Sequence, residues 1–131
     1  MIQANELIVG NLLNFDRFGE IRIFKIDPDH IRMCFDFNDE FNLYYKPIPI
    51  TEEWLLKFGF EKGNNINVPI NVYSLNLNLD GIYSIIKYDV KNKYVHLTQR
   101  GVSVYLKELE NIHQLQNLYF ALTQKELTLN D

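Results

Sequence analysis

Cysteine is all but missing from this chain: Cys34 stands alone among 131 residues. One thiol cannot close an intramolecular disulfide, so the fold is no disulfide scaffold and the chain suits a reducing compartment. Long apolar runs are missing too, and none nears the roughly 20 residues a membrane-spanning helix needs. The opening residues, MIQANELIVGN, have neither the basic start nor the apolar stretch of a secretory leader. The expected location is therefore the cytoplasm, with no membrane partner. Glycine is scarce, and its six residues form no phosphate-cradling loop. No serine sits in a nucleophile elbow.

What the chain does have is aromatic bulk. Nine Phe, eight Tyr and Trp54 sit within a composition that is 47% hydrophobic and 23% charged, which is that of a folded globular protein. Length predicts a single domain over 1–131, with a β-rich lobe at 1–45 and the remainder at 46–131. In the first lobe, GNLLNF (10–15), EIRIFKI (20–26), IRMCFDF (31–37) and EFNLYY (40–45) read as short strands. Ile21, Ile23 and also Phe24 are the candidate apolar positions of the second, and DPDH (27–30) reads as a turn. Four such strands predict a small β roll or open barrel.

KPIPITEEWLLKFGF (46–60) reads as scaffold. Pro47 and Pro49 hold the chain extended, Thr51 caps a short helix, and Glu52 and Glu53 suit its positive end. Trp54, Leu55 and Phe58 share its apolar face, and Gly59 ends it with Phe60 folding back. Strict alternation then runs through 73–79, 86–90, 95–97 and 102–106, with hairpin turns at Asp80–Gly81, 91–92 and 99–101. This predicts a four-stranded antiparallel meander with Leu75, Leu77, Ile86, Tyr88, Val95, Leu97, Val102 and Val104 inward. NIHQLQNLYFAL (111–122) carries the helical period, with Asn111 and Gln114 placed for a capping box. The expected class is α+β, the C-terminal helix packing on the meander. The tail TQKELTLND is expected to add half a turn and fray.

Chemistry is sparse. His30, His96 and His113 have no metal-ligand spacing, and an acidic turn explains Asp27, Asp29 and Asp36 around His30 better than a cation does. Cys34, between Met33 and Phe35 in an alternating run, reads as a small buried hydrophobe. Neither an enzyme nor a cofactor is expected.

Charge is uneven. Residues 81–107 hold Lys87, Lys91, Lys93, Arg100 and Lys107 against Asp89 alone, within a chain of net charge −4. That segment reads either as a binding face or as solvated strand edges. Alternation puts Lys87, Tyr94, His96 and Tyr105 on the side away from the aliphatic core, beside Thr98 and Ser103, with Arg100 at one end. These five are the candidate binding residues, suited to an anionic or stacking ligand such as a nucleotide or a single strand. Cross-strand packing in a half-exposed sheet accounts for the same pattern.

Three stretches, ANELIVGNLLNF, PIPITEEWLLKFGFEK and IHQLQNLYFALTQKELT, together resemble an uncharacterised family of small proteins encoded by phages and prophages of Bacteroidetes. That pattern carries glycine where this chain has Gln124, and it leaves 63–107 open. The resemblance implies an intracellular, phage-related role. It supplies no catalytic residues and fits an accessory protein that binds a host protein, for instance to inhibit a defence system.

Overall fold

A computed structural model describes residues 1–130. The fold is α+β, and its residues form two compact units. The first comprises Met1–Pro49 and Asn111–Leu118. The second comprises Ile50–Glu110 and the residues from Tyr119 onward.

In the first unit, β1 (Leu12–Arg17) and β2 (Glu20–Lys25) form a hairpin. Its two-residue turn sets both Phe18 and Gly19 at positive φ. Next come α1 (Pro28–Asp36), α2 (Asn38–Tyr44) and the short β3 (Tyr45–Lys46), which pairs with β1 to give the order β2-β1-β3. The expected roll of four strands is thus corrected to three strands and two helices. Asp27 explains the difference. Its side chain accepts from the His30 N–H at 3.0 Å, while the Asp27 N–H donates to His30 Nδ1 at 3.1 Å. With Pro28 at the first helical position, DPDH is a capped helix start rather than a turn.

The core of this unit gathers Ile2, Leu7, Leu13, Ile26, Cys34, Phe41 and Tyr45, with Phe41 and Tyr45 stacked at 4.4 Å. Cys34 is buried as expected, but on a helix. On β2 Phe24 packs against the core, 5.3 Å from Phe15, whereas Ile21 and Ile23, expected to share the apolar positions, are exposed.

In the second unit, α3 (Glu52–Lys57) begins as its sequence predicts. The Trp54 N–H donates to Thr51 Oγ1. It ends with Gly59 at φ 93, the Gly59 N–H bonded to the Leu56 carbonyl and the Phe60 N–H to that of Leu55. That is a Schellman ending, and Phe60 is buried beneath it. A five-stranded antiparallel sheet follows: β4 (Glu61–Lys62), β5 (Val72–Leu79), β6 (Ile82–Asp89), β7 (Tyr94–Gln99) and β8 (Val102–Glu108), in that order. The predicted meander is β5–β8. Asp80–Gly81 and Arg100–Gly101 are two-residue turns with both residues at positive φ.

The inner face buries Tyr73, Leu77, Ile86, Tyr88 and Val95, with Leu75 and Leu97 half-buried. Val102 and Val104, expected inward as well, are 63% and 53% exposed because they lie on the edge strand β8. The Tyr88 hydroxyl donates to the Leu109 carbonyl at 2.7 Å. Burial, followed by the charges of Glu110, Asp89 and Glu108, pushes this phenol up to about 12.

The C-terminal helix α4 (Ile112–Thr123) has Ile112–Leu118 in the first unit. At its start the Asn111 N–H donates to Gln114 Oε1, half of the expected capping box. Gln116 accepts from the Leu12 N–H at 2.8 Å and donates to the Gly10 carbonyl at 3.2 Å. Asn117 accepts from Asn11 Nδ2 and donates to the Glu6 carbonyl. Gln124 closes the helix at φ 59, its N–H on the Phe120 carbonyl. The tail does not fray as expected: Leu127 is buried and the Asn130 N–H donates to the Lys57 carbonyl at 2.6 Å. Asp131, the last residue of that expectation, lies outside the described residues.

Candidate functional site

Strand register brings four of the five candidate residues together on the outer face of the second unit's sheet. Lys87 on β6 lies directly opposite His96 on β7, and His96 directly opposite Tyr105 on β8. Tyr94, two residues before His96, has the same facing. Tyr105 joins the group through its ring, edge-on to Tyr94 at 5.4 Å and to His96 at 5.7 Å. Both tyrosines are exposed, at 41% and 52%. Thr98 and Ser103 extend this face, their hydroxyls 2.9 Å apart.

Arg100 does not join them. It occupies the β7–β8 turn, four residues beyond His96 and so roughly 13 Å further along the strand.

Beside this row lies a hollow of about 220 Å³. Lys87, His96 and Ser103 line one side, and Val68 and Pro69 of the preceding loop line the other. Sequence reasoning missed this loop, GNNINVPIN (63–71), because it has no hydrophobic period. Its shape comes from hydrogen bonds. The Gly63 N–H donates to the Val72 carbonyl, the Asn65 N–H to that of Val68, and Asn64 Oδ1 accepts from the N–H groups of Ile66 and Asn67. Gly63 is obligatory, since a Cβ there would overlap the Pro69 carbonyl. The cluster of asparagines around Gly63 and Pro69 was the available signal.

Asp89 also borders the hollow, and its carboxylate accepts four hydrogen bonds. Oδ1 accepts from Asn71 Nδ2 (2.7 Å), the Lys91 N–H (2.9 Å) and the Asn92 N–H (3.2 Å), while Oδ2 accepts from Asn92 Nδ2 (2.9 Å). Burial raises this carboxyl, but the bonds from Asn92, Asn71 and Lys91 outweigh it and hold Asp89 below its ordinary value. Lys87, by contrast, has no hydrogen-bond or ion-pair partner among the described residues. This surface thus sets an ammonium group, two hydroxyls and two exposed phenol rings side by side.

Elsewhere, His30 and Asp27 form the helix cap, and Cys34 Sγ points to the Ile2 carbonyl. Among the described residues no group of three or more His, Cys, Asp or Glu is placed to hold a metal ion, and no helix is long and apolar enough to cross a membrane. No family model, curated protein or solved structure matches the chain.

Proposed function

We propose that this chain is a non-enzymatic accessory protein of the phage and prophage kind, acting in the host cytoplasm by binding a host protein and thereby inhibiting a defence system. The observation that carries the binding role is the exposed cluster of Tyr94, His96 and Tyr105 beside the unpartnered Lys87. Tyr94 and Tyr105 are open to solvent on the last two strands of the sheet, and tyrosine is a residue type enriched in protein interfaces. The three motif stretches support the phage setting. The test is capture from host lysate with wild type and a Tyr94→Ala/Tyr105→Ala double variant. A partner held by wild type and lost by the folded double variant supports the reading. Equal capture by both overturns this choice of surface.

The hollow favours a second reading, in which the same face takes a nucleotide-like small molecule or a nucleic acid. Titration of purified protein with nucleotides and short single strands separates the two.

A further inference from the structure

The chemistry of the hollow deepens the second reading, on which the following rests. We infer that the hollow seats the phosphate of a small phosphomonoester whose flat ring lies on the exposed tyrosines beside it, as in a nucleoside monophosphate. Lys87 and His96 face each other directly, and neither has a carboxylate paired to it among the described residues. The Lys87 ammonium and a His96 ring N–H therefore stand on one wall of the hollow as donors with no carboxylate paired to them. The Ser103 hydroxyl adds a neutral donor on the same wall.

Asp89 is the group that would oppose an anion, and its oxygens already serve four donors from the 90–92 turn and Asn71. Three of these bonds fall on Oδ1 and one on Oδ2, so most of the acceptor capacity of Asp89 is spent on the protein's own N–H groups.

Size and spacing select among anions. A hollow of about 220 Å³ is smaller than the ~300–1,000 Å³ that encloses a whole drug-sized ligand, so it takes one end of the molecule. The other end meets Tyr105 and Tyr94, whose rings offer stacking surface. A nucleic-acid strand needs cations repeated along its backbone. Of the lysines and arginines, Lys87 lines the hollow, whereas Arg100 lies at the far turn and Lys93 pairs with Glu110 at 3.5 Å.

The experiment is isothermal titration of the full chain with adenosine monophosphate, adenosine, inorganic phosphate and a ten-nucleotide oligothymidylate. Amide NMR shifts of Val68 and Ser103 report the location. The monophosphate should bind at least about tenfold more tightly than adenosine or phosphate alone, since charged hydrogen bonds and stacking each contribute a factor of that order. Lys87→Gln should weaken it by about tenfold, Lys87→Arg should retain binding, and Tyr105→Ala should weaken it by about fivefold or more. Circular dichroism of each variant confirms folding. Tight binding of the oligonucleotide without the monophosphate overturns this inference and leaves the ligand reading standing. Binding that Lys87→Gln does not change overturns it as well. No binding of any probe at millimolar concentration overturns both.

Discussion

Asn71 donates its side-chain amide to Asp89 at 2.7 Å, tying the 63–71 loop to the end of β6, and the Val90 N–H reinforces the tie on the Asn71 carbonyl. The wall of the hollow is therefore held at both ends, at Gly63 and at Asn71. Asn71→Ala should cost about 1.5–3 kcal/mol, the usual effect of removing a hydrogen bond to a charged group. Gly63→Ala should open the loop, because its new methyl has to displace the Pro69 carbonyl. Hydrogen exchange should quicken at Asn65 and Val72 in both variants. Unchanged protection would show that the loop holds its shape without them.

Trp54 is half-buried, packed on Phe58 at 5.9 Å with the Lys57 ammonium 5.4 Å from its ring, whereas Leu55 is fully buried. Leu55→Ala should therefore cost about 2–5 kcal/mol, and Trp54→Ala less, about 1–3 kcal/mol. Urea denaturation measures both. A larger loss from Trp54→Ala would reverse this ranking of the two side chains.

His113 is buried with no hydrogen-bond partner on either ring nitrogen, and Nε2 lies 4.0 Å from Glu6 Oε1. Burial lowers its pKa from the usual 6.5, and the Glu6 charge opposes that only in part. Above pH 6.5 the imidazole is neutral in both folded and unfolded chains, and its contribution to stability is whole. As pH falls below that value the unfolded chain takes the proton first, so stability drops by up to about 1.4 kcal/mol per pH unit. Denaturation between pH 4.5 and 8 should show this slope. His113→Phe should flatten it.

Gln124 adopts φ 59, a conformation that glycine takes freely and that costs other residues on the order of 1 kcal/mol. Its side-chain bond to the Ala121 carbonyl is long, at 3.5 Å. Gln124→Gly should stabilise the chain by about 0.5–1 kcal/mol. A fall in melting temperature would mean that this side chain contributes more than the strain costs.

The turns and caps were legible in the sequence because single residues dictate them: Asp80–Gly81, Thr51 and Gly59 each admit few alternatives. Residues 28–44 were not. Ile31, Met33, Phe35 and Phe37 alternate like a strand face, yet Phe35 and Phe37 are exposed, and the buried Cys34 and Phe41 sit on successive helices that break at Phe37. Seven residues are too few for period alone to choose between these patterns. Parity placed Lys87, Tyr94, His96 and Tyr105 on one face, because register in a tight-turned meander follows from its turns. The hollow escaped notice because its far wall is loop. The C-terminal helix announced its period, but nothing in that period marked Gln116 and Asn117, which bind Gly10, Leu12, Asn11 and Glu6.

Those last bonds span 104 to 111 residues of sequence. During synthesis the hairpins of the meander need only their own neighbours, so each can close soon after it emerges. The Gly10 carbonyl and the Leu12 N–H, although made early, wait for Gln116. A chain cut before Gln116 would hold every strand of the meander and lack all four of the bonds by which Gln116 and Asn117 engage Glu6, Gly10, Asn11 and Leu12.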